Sequence, residues 1–146
     1  MLRGLRYLWV LPVTLLGMLI ALVSRGSGGT LQRVEGVLEV AGGWPAWVLR
    51  RGFPFSGSVA ALTLGHVVVG VSLHALAATR AHERAHVRQF ERWGVLLLVL
   101  YPLAGVLARV RGGNPYRDNL FEREARAAEL AGQCAPAESG RQSTGR

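Results

Sequence analysis

Two histidines one helical turn apart form the clearest chemical pattern in this 146-residue sequence. His82 and His86 enclose Glu83 in the run His-Glu-Arg-Ala-His. Residues four apart lie on one face of a helix, so both imidazoles can reach one metal ion, and zinc binds neutral imidazole readily. Glu83 lies about 100° further round the helix, where it can exchange a proton with a zinc-bound water. The pattern predicts a zinc site with Glu83 as general base; the alternative is two surface histidines on a solvated helix.

A catalytic zinc site of this kind needs a third protein ligand. The chain has a single cysteine, Cys134, which excludes a cysteine-based zinc knuckle, so we expect a carboxylate. The carboxylates downstream of the motif that could serve are Asp118, Glu122, Glu124 and Glu129. Glu122 also follows Asn119 by three residues, which is the spacing of a capping box, where a glutamate accepts a backbone N–H. The spacing alone leaves both roles open.

Two stretches around these residues resemble a known family. AHERAHVRQFERWG at 81–94 and NPYRDNLFEREAR at 114–126 are similar to the HExxH zinc metallopeptidases of the gluzincin class. In particular they resemble small, membrane-associated, mostly uncharacterised bacterial members, over about residues 57–131. The resemblance implies a zinc peptidase-like fold with Glu122 as third ligand and Glu124 as the alternative. Gluzincins carry an aspartate four residues after that ligand to support a histidine, and here the position is Arg126.

The motif lies in the strongest predicted helix of the chain, residues 74–93. Alanine is frequent there, proline and glycine are absent, and Gly94 is a natural stop. On the predicted zinc face, Gln89 is expected to hydrogen-bond within the site or to pack on the sheet. His74 is expected to cap the helix or to line the cavity. Four arginines at i+4 spacing predict a solvated face or contact with anionic lipid headgroups: Arg80, Arg84, Arg88 and Arg92.

Two β-rich stretches precede this helix. Residues 30–43 and 57–73 are rich in β-branched side chains and punctuated by glycine, which predicts strands of a small sheet. Between them, Pro45 and Pro54 limit helix formation. His66 is predicted to be a strand residue, either buried and hydrogen-bonded or in contact with substrate.

Three stretches are apolar enough to interact with a membrane. Residues 7–24 carry no charge and are just long enough to span the hydrocarbon core, which predicts an N-terminal anchor; a cleaved signal peptide is the alternative. Residues 95–108 are short and contain a proline, so they suit a buried or re-entrant helix. Residues 55–79 lack charged side chains, and a second membrane helix is the alternative to strands there.

The predicted fold is α+β. It comprises an N-terminal transmembrane helix, a small β-sheet, the zinc helix, an apolar helix and a C-terminal helix that carries Glu122. Residues 1–25 are predicted to be the anchor, residues 26–131 the metallopeptidase-like domain and residues 132–146 a disordered tail. The run GSGG at 26–29 predicts a flexible joint. We expect a bacterial inner-membrane location with a single N-terminal span.

The net charge of +8 comes with 17 basic residues, all of them arginine. No recognised nucleic-acid motif or aromatic stacking platform accompanies this charge, so we expect a lipid bilayer and a peptide or protein substrate as partners, and no nucleic acid. Tyr116 and Arg117 are available to stabilise an oxyanion. Three functions stay open: a membrane-tethered zinc peptidase, a non-catalytic zinc-binding membrane module on the same scaffold, and a multi-span membrane protein without metal.

Overall fold

The computed structural model describes residues 2–52 and 57–134, which form five helices and one four-stranded sheet. The helices are α1 (Leu2–Gly26), α2 (Gly43–Arg51), α3 (Leu73–Trp93), α4 (Leu97–Val110) and α5 (Leu120–Cys134). The strands are β1 (Thr30–Val34), β2 (Val37–Ala41), β3 (Ala61–Leu64) and β4 (Val67–Gly70). The predicted α+β class, the small sheet and the apolar N-terminal helix are confirmed.

Two hairpins lie side by side in the sheet, in the order β1-β2-β4-β3. Each hairpin is antiparallel, and the inner strands β2 and β4 pair in parallel, with Val40 opposite Val69. In the first turn Glu35 and Gly36 adopt φ values of 48° and 84°, as a two-residue turn of type I′ requires. The second hairpin occupies the segment for which a second membrane helix was the alternative.

α1 packs along the sheet and does not stand apart from it. Its inner face is buried at Val10, Val13 and Ala21. A Cβ atom at Gly17 would lie 2.7 Å from Val67 Cβ, so only glycine allows this close approach. The outer face exposes large apolar side chains, among them Leu8, Leu11, Leu15, Leu16, Leu19 and Leu22. The predicted anchor therefore shares its hydrophobic core with the rest of the chain.

The GSGG run after α1 is a hydrogen-bonded turn and not the flexible joint predicted from its composition. The Gly29 N–H donates to the Ser24 carbonyl at 2.7 Å, and the Ser27 hydroxyl donates to the Val23 carbonyl at 2.7 Å. These bonds fix the direction in which the chain leaves α1 and enters β1.

α2 lies in the segment where Pro45 and Pro54 were expected to limit helix formation. Pro45 is the third residue of α2. The first turn of a helix has no internal acceptors for its N–H groups, so a proline is tolerated there. Pro54 lies outside the described residues. The expectation of little helix in this segment was wrong because it ignored the position of Pro45 relative to the helix start.

α3 begins and ends close to its predicted bounds. The Ser72 side chain accepts the Ala75 N–H at 3.1 Å, and Gly94 ends the helix at φ 57°. Its most apolar contacts face the sheet, where Leu76 is 1% exposed. A 3₁₀ turn at Gly94–Leu96 then leads directly into α4.

Half of the predicted arginine face of α3 binds the sheet. Arg80 makes two hydrogen bonds, of 2.8 and 3.0 Å, to the buried carboxylate of Glu39 on β2, and this pairing lowers the pKa of Glu39. Arg84 donates to the Val34 carbonyl on β1. Arg88, by contrast, is exposed. The stripe is therefore not one solvated or lipid-facing surface, because two of its side chains fasten α3 to the first hairpin.

α4 and α5 complete the described chain. α4 buries Leu97, Gly105 and Ala108 and leaves most of its other apolar side chains exposed. α5 begins after Asn119, whose side-chain oxygen accepts the Phe121 N–H at 3.0 Å. It continues to Cys134, two residues beyond the predicted start of the tail at 132. The rest of that predicted tail lies outside the described residues.

Two helical segments among the described residues are long and apolar enough to cross a membrane. One is Leu8–Gly26 in α1, and the other lies within Leu73–Val110, where α3 leads into α4. Their most apolar windows are only 28% and 22% buried, so most of this apolar surface is uncovered. Length and composition alone do not separate a membrane span from a signal sequence or a core helix.

Candidate metal centre

Three side chains from two helices converge between α3 and α5. The Nε2 atoms of His82 and His86 lie 3.1 Å apart. The Glu122 carboxylate reaches both, with one oxygen 3.3 Å from His82 Nε2 and the other 3.2 Å from His86 Nε2. All the potential ligand atoms lie within 4.8 Å of one another. This group could hold a metal ion.

The start of α5 determines where Glu122 points. Asn119 caps the helix and donates its amide N–H to the Tyr101 carbonyl at 3.0 Å, which ties the first turn of α5 to α4. Glu122 then lies one turn into the helix with its side chain towards α3. Its carboxylate contacts the histidines and does not accept the Asn119 N–H, so the capping-box alternative is not what the structure shows.

The Glu122 carboxylate is buried and has polar partners on several sides. Its side chain is 3% exposed, and Oε1 accepts a 2.6 Å hydrogen bond from the Tyr101 hydroxyl. Burial would raise the pKa of this carboxyl, but hydrogen bonds from His82, His86 and Tyr101 together lower it well below its ordinary value. Oε2 is buried and accepts no hydrogen bond of good geometry. This oxygen lies 3.3 Å from His82 Nε2 and 3.7 Å from the Arg126 guanidinium, and it retains the capacity to bind a further cation.

Each histidine has an acceptor behind it. His86 Nδ1 lies 2.8 Å from Gln89 Oε1, and His82 Nδ1 lies 3.5 Å from Glu129 Oε2. With a metal bound, an acceptor at Nδ1 would hold the proton there and leave the Nε2 lone pair for the ion. Gln89 and Glu129 therefore occupy the supporting positions that the missing aspartate left unexplained. Arg126, at that aspartate's position, lies 3.7 Å from Glu122 instead.

Replacing Gln89 with leucine is expected to weaken zinc binding by about 10- to 100-fold, the usual effect of losing a partner behind a ligand histidine. Leucine is similar in volume but cannot accept the Nδ1 proton of His86. Competition with a chromophoric chelator would measure the affinity. The control is Gln32→Leu, which removes a hydrogen-bonded glutamine of β1 remote from the site. Equal affinity of the folded Gln89→Leu and wild-type proteins would contradict the supporting role.

Glu83 lies beside these three side chains, but its carboxylate points towards β3. It is 6% exposed, and its Oε2 accepts a 2.6 Å hydrogen bond from the Thr63 hydroxyl of β3. Burial raises the pKa of Glu83, so its proton affinity is greater than that of a free glutamate. A carboxyl group of this kind accepts a proton more readily than a free glutamate and can pass it on.

The site opens into a cavity of about 660 Å³ enclosed by β3, α3, α4 and the segment before α5. His82, Glu83, His86 and Glu122 all line it. Most of the remaining lining is apolar. A molecule bound in this cavity would therefore contact the metal-binding group and Glu83 together.

Other acidic and histidine side chains considered from the sequence lie away from the group. Glu124, the alternative ligand, is half exposed and accepts a 3.0 Å hydrogen bond from Gln89 Nε2. Asp118 accepts the Asn114 N–H at 2.7 Å and so orders the loop before α5, with no recorded contact to a histidine. His74 is exposed at the start of α3, and the cap there is Ser72. Of the four carboxylates considered for the third ligand, the structure brings only Glu122 to the Nε2 atoms of both histidines, while Glu129 lies behind His82 at Nδ1.

His66 lies in the turn between β3 and β4, not in a strand as predicted. Its ring nitrogens lie 3.4 Å from the Thr14 hydroxyl of α1 and 3.2 Å from Glu91 of α3. Gly65, at φ 63°, makes the turn that places it there. His66 does not line the cavity, so the structure supports the buried, hydrogen-bonded alternative over contact with substrate.

Sequence reasoning missed two residues of the site. Tyr101 hydrogen-bonds Glu122, and Thr63 hydrogen-bonds Glu83. Tyr101 did leave a signal, since it carries the only polar side-chain atom in the apolar run 95–108. Of the two residues suggested for oxyanion stabilisation, Tyr116 lines the cavity and Arg117 is exposed.

A scan against models of known protein families finds no match to this chain, and no curated protein or solved structure is similar to it. The resemblance to gluzincins therefore stays an inference from the motif. Any assignment of function has to rest on the geometry of the site.

Proposed function

We propose that this protein is a membrane-associated zinc-dependent metallopeptidase in which Glu83 is the general base. The observation that carries the proposal is the convergence of His82, His86 and Glu122 in a cavity that Glu83 also lines. Two histidines, one carboxylate and an open side form the ligand set of a hydrolytic zinc site.

The spacing of the ligand atoms supports zinc. Tetrahedral coordination with bonds of about 2.0–2.1 Å sets neighbouring ligand atoms about 3.3 Å apart. The two histidine Nε2 atoms are 3.1 Å apart, close to this value, and each lies near a different oxygen of Glu122, His86 at 3.2 Å from Oε1 and His82 at 3.3 Å from Oε2. Glu122 would bind the ion through one of its two oxygens, as a monodentate ligand. Nitrogen and oxygen donors with no sulfur also fit zinc better than copper(I) or an iron–sulfur cluster.

The proposed reaction divides the work between the ion and the chain. A bound zinc supplies Lewis acidity towards the scissile carbonyl and towards water. Glu83 takes the proton of the attacking water and returns it to the leaving amine. Burial, with the nearby charges of Glu122 and Glu83, raises the pKa of Tyr116 to about 12, so its phenol stays protonated. Tyr116 would donate a hydrogen bond to the developing oxyanion.

The edge of the sheet supports a peptide as substrate. β3 is an outer strand, it lines the cavity, and Thr63 on it contacts Glu83. An extended peptide could add to this edge through backbone hydrogen bonds and bring one of its carbonyl groups to the site.

A non-catalytic zinc-binding membrane module is the second candidate. Arg126 favours it, because a guanidinium 3.7 Å from Glu122 Oε2 competes with an ion for the same carboxylate. Against it stands Glu83, since a purely structural zinc site does not need a buried carboxyl with a raised pKa at its side. A multi-span protein without metal is less well supported, because a β-hairpin occupies one of its required spans.

Metal removal tests the proposal directly. The purified full chain is expected to contain about one zinc per molecule, to lose peptide hydrolysis on dialysis against a chelator, and to regain it with added zinc. Elemental analysis and a fluorogenic peptide mixture give the two readouts. Zinc binding without hydrolysis would favour the non-catalytic module, and a metal-free protein that stays metal-free with added zinc would exclude both.

We further propose that α1 and α4 contact the lipid bilayer, in a bacterial inner membrane. Their exposed faces are almost wholly apolar. Beside the C-terminal end of α1, where the Trp44 N–H donates to the Ser27 hydroxyl, Trp44 and Trp47 of α2 are 60% and 46% exposed and stack on each other, with Arg51 4.0 Å above the Trp47 ring. Exposed tryptophans beside arginine are typical of the headgroup region.

Aspartate at Leu15 and Leu19 together is expected to release the protein from membranes. Both side chains lie on the outer face of α1, 48% and 60% exposed, so the core is unaffected, while each charge in the hydrocarbon costs about 2.5–3.5 kcal/mol. The fraction retained after a carbonate wash would measure this. The control is Leu130→Asp, because Leu130 is 61% exposed on the outer face of α5, and this variant should stay bound to the membrane. Full retention of the folded double variant would contradict lipid contact through α1.

A further inference from the structure

We infer that the cavity selects an apolar peptide segment, taken in along the lipid-facing side of α4. This inference rests on the proposed peptidase function and adds the substrate class to it. It follows from the chemistry of the cavity walls and from the exposure of the helix that forms one of them.

The polar groups of the cavity belong to the site, and the walls beyond them are apolar. Four ionisable site residues and four neutral polar ones account for nearly all the polar lining, and the rest comes from aliphatic, proline and aromatic side chains of β3, α3 and α4. Arg109 is the one charged lining residue outside the site. Charged or strongly polar side chains of a substrate would lose water there without gaining partners, which disfavours them.

α4 connects the cavity with the surface proposed to face lipid. Leu98, Val106 and Val110 line the cavity, yet they are 42%, 60% and 78% exposed. Val99 and Leu103, on the same helix, are 58% and 56% exposed and do not line it. One apolar helix therefore forms both the cavity wall and an uncovered outer face. An apolar segment could pass from bilayer to site along this helix, where Arg109 is the one charged side chain that lines the cavity.

The length of α4 sets the scale of the segment. Tyr101, at the site, and Arg109 are eight residues apart on α4, about 12 Å at 1.5 Å per residue. An extended peptide covers that distance with about four residues at 3.3 Å each. We therefore expect selectivity over about four substrate positions on one side of the scissile bond, each preferring an apolar side chain.

The test compares two substitutions on α4 in the full-length, zinc-loaded protein in lipid nanodiscs. Val106→Asp changes a cavity-lining residue, and Leu103→Asp changes a neighbour of nearly equal exposure that does not line the cavity. Two fluorogenic peptides of equal length carry either leucine or serine at the four positions. The wild type is expected to cleave the leucine peptide at least 10-fold more efficiently in kcat/KM. Val106→Asp should remove most of that preference through KM, and Leu103→Asp should keep it.

The outcomes separate this inference from the proposed function. Equal cleavage of both peptides by the wild type, or equal effects of the two substitutions, would overturn the apolar selectivity while leaving the peptidase intact. If neither peptide is cleaved, the inference is tested by the binding of a fluorescent leucine peptide to the same three proteins. Binding that is lost only in Val106→Asp supports the cavity as an apolar peptide site without hydrolysis. Absence of binding to the wild type overturns the inference.

Discussion

The Glu83→Gln variant is expected to lose peptide hydrolysis by about 100- to 10,000-fold and to keep its zinc. Glutamine has the same shape and can still accept the 2.6 Å hydrogen bond from Thr63, but it cannot take a proton from water. Glu83 is also not one of the three grouped ligands. Measured on the same preparation, the variant should therefore contain as much zinc as the wild type and show almost no hydrolysis.

A matched variant on the same helix controls for the loss of a charge. Glu91→Gln removes a carboxylate two turns further along α3 that contacts His66 and lies outside the cavity. It should retain both zinc and activity. Hydrolysis by Glu83→Gln at the rate of Glu91→Gln would exclude Glu83 as the base. A wild-type protein that binds zinc but cleaves nothing would leave Glu83 without a catalytic role and favour the non-catalytic module.

The parts of the fold that local sequence determines were predictable. α3 has a cap at Ser72, uninterrupted helix-forming residues and a stop at Gly94, so its bounds follow from residues within the helix or next to it. The hairpins follow likewise from β-branched runs broken by glycine. The spacing of His82 and His86 already places their side chains on one face of this helix, because helical geometry fixes that relation.

The packing of α1 and of the arginine face depends on residues far away in the sequence. The uncharged run 7–24 gives no sign that Gly17 lies against Val67, fifty residues later. The sequence around Arg80 likewise gives no sign of its partner, Glu39, which lies on β2 of the first hairpin. Composition identified these segments as apolar or basic, but only the tertiary structure shows which face each one buries.

Which of Glu122 and Glu124 faces the histidines also could not be predicted from the local sequence. Glu122 and Glu124 are two apart, so their side chains leave α5 about 200° apart and cannot both reach the space between His82 and His86. Helix geometry determines this angle, but the local sequence does not determine how α5 is rotated about its own axis. That rotation depends on Asn119, which holds both the helix start and the Tyr101 carbonyl. The structure turns Glu122 inward, and Glu124 then bonds Gln89 near the surface.

The choice between these two glutamates has a large expected effect. Glu122→Ala should weaken zinc binding by more than about 100-fold, the upper end of what the loss of a mere supporting partner costs. Two histidines alone leave the ion without its buried carboxylate. Glu124→Ala removes an exposed carboxylate outside the group and should change the affinity little. Titration with zinc against a competing chelator would give both values.

Stability measurements keep this comparison interpretable. Glu122→Ala also removes the acceptor of the Tyr101 hydroxyl, so a partly unfolded variant could lose zinc for an unrelated reason. Glu122→Gln keeps an oxygen for Tyr101 and removes only the charge, so it should fold and still bind zinc weakly. Added zinc should raise the melting temperature of the wild type and of Glu124→Ala, and should raise that of either Glu122 variant much less at the same zinc concentration. The opposite pattern, with zinc stabilising the Glu122 variants and not Glu124→Ala, would assign the third ligand to Glu124.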